Sequence, residues 1–116
     1  RYCEVTVTPY THVSQEKGVT GAMVFAGLEE GRRIAETEYH VRMRWIPDIP
    51  RNLPEPASNW TTHTAIAWHE AGAAVALGLG GDERGAPPEL FEDAFQEARR
   101  HGLHSAPHAG ETMGPG

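Results

Sequence analysis

Apolar residues recur with two alternating periods along this chain, one typical of strands and the other of helices. Residues 2–8 form a β-rich segment that ends at Pro9, and residues 19–39 carry apolar side chains at helical spacing. Residues 40–49 return to a strand-like alternation, with Val41, Met43 and Trp45 on one side. Prolines 47, 50 and 54 are expected to break this second strand. The first half therefore predicts a strand, a loop, a helix and a strand.

The second half repeats the strand and helix signals. Ser58 and Asn59 are N-cap residues for a predicted helix that ends near Gly72. Residues 73–77 then predict a short buried strand, and residues 78–85 a glycine-rich loop. Pro88 occupies the first turn of a further helix, with an apolar face formed by Leu90, Phe91, Ala94, Phe95 and Ala98.

The chain closes with a predicted helix stop, Gly102, and an apolar segment before His108 that we expect to be a buried strand. The resulting order, β-α-β-α-β-α-β, implies an α/β fold with parallel strands and right-handed crossovers. Such crossovers bring the carboxyl ends of all four strands to one face, where α/β proteins bind ligands. The residues expected at this face are Pro9, Asp48, Gly81–Glu83 and His108–Glu111.

Composition narrows the classes of function. The 116 residues suit a single domain, and no apolar run approaches the roughly 20 residues of a membrane span. We therefore expect a cytoplasmic protein without a membrane partner. The formal charge is −6, and the arginines lie in scattered pairs, so a nucleic acid partner is not expected. The oligomeric state does not follow from the sequence.

The segment His108-Ala109-Gly110-Glu111 carries the clearest candidate chemistry. It places an imidazole and a carboxylate at the end of a strand, a spacing that suits a metal ligand beside a proton donor. A single cysteine leaves histidines and carboxylates as candidate metal ligands. His101 and His104 do not extend the site, because Gly102 ends the helix between them.

Four motifs, in order, resemble the adenosine deaminase family. They are Glu4–Pro9, Arg44–Arg51, Gly78–Glu83 and Ser105–Glu111. The resemblance covers essentially the whole chain but only the second to fifth strands of the family's (β/α)8 TIM barrel. It therefore implies about four β/α units in one partial-barrel domain, residues 1–116.

The resemblance also implies an activity, zinc-dependent hydrolytic deamination of an adenine-containing nucleoside, with release of ammonia. By the same resemblance, His108 binds zinc, Glu111 protonates the purine ring, and the backbone of Gly81 contacts the purine. A His-x-His pair, a further histidine and an aspartate are implied on strands outside these 116 residues. We therefore expect the 116 residues in isolation to be inactive.

Two alternatives remain open. The segment from Pro107 to Pro115 resembles the bacterial branch that includes aminodeoxyfutalosine deaminases, so aminodeoxyfutalosine or adenine is the alternative substrate. A non-catalytic, truncated half-barrel is the alternative of another class, and its open edges would favour self-association. The role of Asp82 and Glu83 is also open between a place in the site and a helix cap or solvent contact. A nucleotide-binding loop is not expected, because neither G-x-G-x-x-G nor a Walker lysine is present.

Overall fold

The computed structural model describes residues 1–13 and 15–115, and its strands form one parallel sheet in the order β1-β2-β3-β4. The strands are β1 (Tyr2–Val7), β2 (Arg42–Pro50), β3 (Ala76–Gly80) and β4 (His104–Pro107). The α-helices are α1 (Gly21–Glu38), α2 (Ala57–Glu70) and α3 (Glu92–Arg100), with 3-10 turns at Pro9–His12 and Pro88–Phe91. This confirms the predicted order of elements and the parallel sheet. The strands are parallel because each β-α-β crossover returns the chain in the same direction.

The core lies between the sheet and helices α2 and α3. Ile49, Leu77 and Leu79 are completely buried, and Trp68 of α2 packs 5.0 Å from Phe25 of α1, measured between ring centroids. Leu90, which the sequence placed on an apolar helix face, is instead exposed, and so is Met23, one of the apolar residues at helical spacing in residues 19–39. Leu90 lies in the 3-10 turn before α3, so it does not follow the helical spacing that buries Ala98.

Helix α1 contains no fully buried residue, although it is 18 residues long. Thr20 caps its N-terminus, since the Thr20 hydroxyl accepts a hydrogen bond from the Met23 N–H at 3.2 Å. Glu29 anchors the helix to the sheet by accepting a hydrogen bond from Nε1 of Trp45 at 3.0 Å. Along the described ranges, none of the helices has the length and apolarity needed to cross a membrane.

Strand β2 continues through Pro47, so the expectation that Pro47 breaks it is wrong. Trp45 bridges to Ala74, whereas Asp48 pairs with Gly78. From the first pair to the second, β2 advances by three residues, whereas the opposite segment advances by four. The extra residue forms a one-residue bulge, and Pro47 lies in this interval. Proline lacks an N–H and is tolerated in a sheet at such a bulge. The local bulge therefore lets the strand extend to Pro50.

Strand β3 covers residues 76–80 and not 73–77, so Gly78 and Gly80 lie in the sheet and not in a loop. The reason is the neighbouring strand. A Cβ on Gly78 would lie 2.8 Å from Cβ of Asp48, and one on Gly80 would lie 2.5 Å from Oδ2 of Asp48. Glycine is needed at both positions to make room for Asp48, and this requirement outweighs the low preference of glycine for strands.

The start of helix α2 also differs from the prediction. The helix begins at Ala57, and neither Ser58 nor Asn59 caps it. Oε2 of Glu55 instead accepts a hydrogen bond from the Asn59 N–H at 3.2 Å. The carboxylate satisfies an N–H of the first turn, the task that the sequence assigned to Ser58 or Asn59.

Strand β4 was expected to be buried, but it is an edge strand whose residues are mostly exposed. It pairs with β3 on one side, from Ala76 opposite His104 to Leu79 opposite Pro107. Gly102 adopts φ +93°, as expected for a glycine that ends a helix, and lets the chain turn from α3 into β4.

Candidate functional site

The carboxyl ends of the four parallel strands meet at one edge of the sheet, and the candidate residues gather there. His108 follows β4 directly, and a Cβ on Gly80 would lie 3.9 Å from its Nδ1. The same Gly80 position lies against Asp48 of β2. Three neighbouring strands thus bring His108, Gly80 and Asp48 together at the edge where the topology predicted His108 and Asp48.

The imidazole of His108 is oriented by the neighbouring strand. Its backbone N–H donates to the Leu79 carbonyl oxygen at 2.9 Å, and its Nδ1 lies 3.1 Å from the same oxygen. Since a carbonyl oxygen only accepts hydrogen bonds, Nδ1 carries a proton, and in the neutral imidazole the lone pair is on Nε2. A histidine held through Nδ1–H by a carbonyl oxygen is the usual arrangement of a metal ligand that binds through Nε2. The chemistry of His108 therefore fits a zinc ligand.

Asp48 is a buried carboxylate beside His108, and 6% of its surface is exposed. Oδ1 of Asp48 has no hydrogen-bond partner among residues 1–13 and 15–115. Burial raises the pKa of the Asp48 carboxyl above its ordinary value, while a hydrogen bond from the Thr8 hydroxyl and the charge of His108 act in the opposite direction. The sequence placed Asp48 at this edge but assigned it no role.

Gly81 has two independent reasons to be glycine. Its φ is +104°, which strains any residue with a side chain, and a Cβ there would collide with Oδ1 of Asn52. The Asn52 side chain is fixed in this position, because its Nδ2 donates to the Asp82 carbonyl oxygen at 2.6 Å. The exposed backbone of Gly81 is thus left open to close approach by a ligand.

Gly81 and His108 line different clefts in the described part of the chain. The Gly81 cleft has a volume of about 290 Å³ and is lined by Thr8, Thr11, Asp48, Pro50, Asn52, Leu53, Gly80 and Gly81. His108 borders an open cleft of about 930 Å³, together with Arg51, Glu83 and Met113. Asp48 and Gly80 belong to the lining of the Gly81 cleft, and Gly80 also faces His108, since a Cβ on Gly80 would lie 3.9 Å from Nδ1 of His108.

Glu111 lies three residues beyond His108 in the loop after β4, and its side chain is exposed. The loop turns back at Gly110, where φ is +75°. The structure therefore brings His108 close to Gly80 and Asp48 but leaves the Glu111 side chain exposed.

Glu83 and Arg51 are two residues at this edge whose roles the sequence did not assign: it left Glu83 open between the site and a cap or solvent contact, and it gave Arg51 no role. The carboxylate of Glu83 accepts hydrogen bonds from the loop after β4, and the buried Arg51 guanidinium donates to the His108 carbonyl oxygen at 2.8 Å. Asp82, by contrast, pairs with Arg84 near the surface. The only sequence signal for Glu83 was its place in the Gly-Gly-Asp-Glu motif, whose partner segment lies 27 residues further along.

A complete metal site is not present within the described ranges, where no three histidine, cysteine, aspartate or glutamate side chains are grouped to hold a metal ion. His101 is used elsewhere, since its Nε2 lies 3.2 Å from Oε1 of Glu97. His104 is an exposed residue of β4. A catalytic zinc needs three or more protein ligands, so His108 can supply one of them.

Comparison with known proteins identifies the family. The model of the adenosine deaminase family matches residues 1–116. The chain is 36% identical over 116 residues to an aminodeoxyfutalosine deaminase of Streptomyces coelicolor, covering 99% of this chain and 30% of the relative. It is 35% identical over 107 residues to an adenine deaminase of Bordetella parapertussis, covering 92% of this chain and 32% of the relative. The chain thus spans about a third of the length of these relatives.

Solved structures agree with this result. An adenine deaminase from Arthrobacter aurescens superimposes with a TM-score of 0.80 at 27% identity, over 96% of this chain and 33% of that one. An amidohydrolase from Burkholderia ambifaria with bound zinc superimposes with a TM-score of 0.75 at 29% identity, over 96% and 30%. These neighbours are TIM-barrel proteins, so the four parallel strands and the three α-helices between them form part of such a barrel, as the sequence predicted. The chain belongs to the adenosine deaminase family.

Proposed function

We propose that the protein containing this chain is a zinc-dependent hydrolytic deaminase of an adenine-containing nucleoside. The observation that carries the proposal is the orientation of His108, whose Nδ1–H is held by the Leu79 carbonyl oxygen so that Nε2 is free to bind a metal. Membership of the adenosine deaminase family supports the same reaction class. We place residues 1–116 in one partial-barrel domain that supplies the second to fifth strands.

In the proposed reaction the oxygen of water forms a bond to the purine carbon, and the bond from that carbon to the exocyclic amino group breaks, so that the amino nitrogen leaves as ammonia. When bound, zinc supplies a water nucleophile that is active near neutral pH. His108 would hold the metal through Nε2, and Glu111 would donate a proton to the ring nitrogen next to the attacked carbon. The backbone of Gly81 would contact the purine, since no side chain shields it. The remaining metal ligands would come from outside this chain.

Two related substrates are the second candidates, because the relatives are named for them. Aminodeoxyfutalosine is favoured by the Streptomyces coelicolor relative, and adenine by the relative from Bordetella parapertussis. All three candidates use the same chemistry at the amino group and differ in what the pocket must accept beyond the purine. We expect a small-molecule substrate, and the absence of nucleic acid and membrane partners and the cytoplasmic location stay predictions.

The test is ammonia release by the complete gene product with adenosine, adenine and aminodeoxyfutalosine. We expect zinc-dependent turnover of at least one of the three and a loss of about 100-fold or more in kcat for Glu111→Gln. The coding sequence on both sides of residues 1–116 should specify a His-x-His strand and an aspartate as metal ligands, and a further histidine as a base. Near-normal turnover by Glu111→Gln would contradict the proposed role of Glu111, and no turnover of any of the three would favour the non-catalytic half-barrel.

A further inference from the structure

The carboxylate of Glu83 accepts several hydrogen bonds from the loop that follows β4. Oε1 accepts a hydrogen bond from the Gly110 N–H at 2.6 Å. Oε2 accepts from the N–H groups of Thr112 and Met113 at 2.8 and 3.1 Å, and from the Thr112 hydroxyl at 3.2 Å. In return, the Thr112 hydroxyl oxygen accepts from the Glu83 N–H at 3.0 Å. One side chain thus satisfies backbone groups on both sides of Glu111.

Arg51 adds a second, buried set of contacts to the same loop. Its side chain is 1% exposed, and its Nη2 donates to the carbonyl oxygen of His108 at 2.8 Å. Nη1 of Arg51 donates to the Ala86 carbonyl oxygen at 3.4 Å and lies 4.0 Å from Oε1 of Glu83. The backbone N–H of Arg51 also donates to the Gly80 carbonyl oxygen at 2.9 Å. Arg51 therefore ties the ends of β2, β3 and β4 to one buried group.

From these contacts we infer that Glu83 and Arg51 are positioning residues for His108 and Glu111. The inference rests on the proposed function, because those two residues are its metal ligand and proton donor. Arg51 would fix the backbone of His108, and Glu83 would fix the backbone before and after Glu111. Neither residue is assigned contact with substrate or metal.

The physical argument concerns the shape of the loop. Beyond His108 the chain leaves the sheet, and residues 110–113 are exposed and lie outside the strands, so strand pairing does not fix the loop backbone. Hydrogen bonds to a charged acceptor are about twice as strong as neutral ones. The Glu83 carboxylate accepts three such bonds from backbone N–H groups. The same donors lower the pKa of the Glu83 carboxyl to about 2, so it stays charged at neutral pH. These hydrogen bonds to the loop backbone would hold a proton donor on this loop in a defined position.

The experiment compares Glu83→Gln with Glu97→Gln in the complete protein. Both substitutions remove one carboxylate, but Glu97 pairs with Arg100 and His101 at the C-terminal end of α3 and has no contact with the loop after β4 among these pairs. An amide at position 83 would direct its N–H2 group at backbone N–H donors, so at least one of the hydrogen bonds is lost. Glu83→Asp keeps the charge but shortens the reach, and Arg51→Lys removes the two-pronged donor.

Five quantities are measured for each variant: kcat and KM with the best aminopurine substrate, zinc affinity by competition with a chelator, thermal stability, and amide hydrogen exchange. For Glu83→Gln we expect kcat to fall about 10- to 100-fold with KM changed by less than about threefold, and zinc affinity to fall about tenfold. Exchange of the Gly110, Thr112 and Met113 amides should accelerate at least tenfold, in the zinc-free and the zinc-loaded protein. Glu83→Asp should recover part of each effect, and Glu97→Gln should match the wild type.

The two proposals fail in different ways. If the wild type deaminates a purine and Glu83→Gln keeps both its kcat and the slow exchange of these three amides, the positioning role is wrong and the proposed function stands. If the wild type deaminates none of the three compounds, the proposed function fails. Zinc affinity and amide exchange then decide the positioning role alone, and unchanged values for Glu83→Gln and Arg51→Lys overturn it.

Discussion

Gly80 and Asp48 fit together across two neighbouring strands, because the Asp48 carboxylate lies where a side chain on Gly80 would begin. A Cβ at position 80 would lie 2.5 Å from Oδ2 of Asp48 and 3.9 Å from Nδ1 of His108. A buried carboxylate with an oxygen that lacks a partner in the described ranges is unfavourable for folding. Its presence at the strand edge that carries His108 indicates a role in the site and not in stability.

This fit leads to a first prediction, for Gly80→Ala. The new methyl group would displace Asp48, so we expect a loss of about 1–3 kcal/mol in the free energy of unfolding. The measurement is urea denaturation of the complete protein. Gly27→Ala in helix α1 is the control, since a Cβ there meets no atom within 4 Å and should stabilise the helix by roughly 0.5–1 kcal/mol. Equal stability of the Gly80→Ala protein and the wild type would show that Asp48 is free to move.

A second prediction concerns the charge of Asp48. Because burial raises the pKa of this carboxyl in the folded state, its contribution to stability is full below the ordinary value of 3.8 and is lost as the pH rises through the folded-state pKa. Asp48→Asn removes this loss. We therefore expect the Tm of Asp48→Asn minus the Tm of the wild type to increase from pH 3 to pH 7 in chelator-treated protein. A difference that decreases with pH would contradict the direction of the pKa shift.

The opposite pH dependence is expected from Glu83. Its pKa is lowered from 4.5 to about 2 by the hydrogen bonds from Thr112, Met113 and Gly110, and Arg51 is the charged group that faces it at 4.0 Å. The stabilisation is present above the unfolded-state pKa of 4.5 and is lost as the pH falls towards 2. Urea denaturation between pH 2 and 7 should show a shallower acid destabilisation for Glu83→Gln than for the wild type. Parallel pH profiles would refute this.

The fourth prediction separates His108 from its neighbour His104. His108→Ala should lose most of the zinc that copurifies with the complete protein, because the Nε2 ligand is removed and the remaining ligands leave the ion undercoordinated. His104→Ala should keep its zinc, since His104 is an exposed residue of β4 at the opposite end of that strand. Zinc is quantified by elemental analysis after gel filtration. Similar zinc content in the two variants would exclude His108 as a ligand.

Local patterns in the sequence determined the order of the elements and the direction of the strands. Period-two and helical spacing, the stop at Gly102 and the order β-α-β-α-β-α-β depend on neighbouring residues, and right-handed crossovers make such strands parallel. The same reasoning placed His108, Asp48 and Gly81 at one edge. The tetrapeptide His108–Glu111 was visible because its residues are adjacent in the chain.

Contacts between distant residues decided what the sequence could not. Strand β3 runs through Gly78 and Gly80 because Asp48, about 30 residues earlier, fills the space above them. Pro47 remains within β2 because the register shifts by one residue at that point. Glu83 finds its hydrogen-bond donors 27 to 30 residues away. Such pairings leave no periodic trace in the sequence, since they arise only when the crossovers bring neighbouring strand ends to one edge of the sheet.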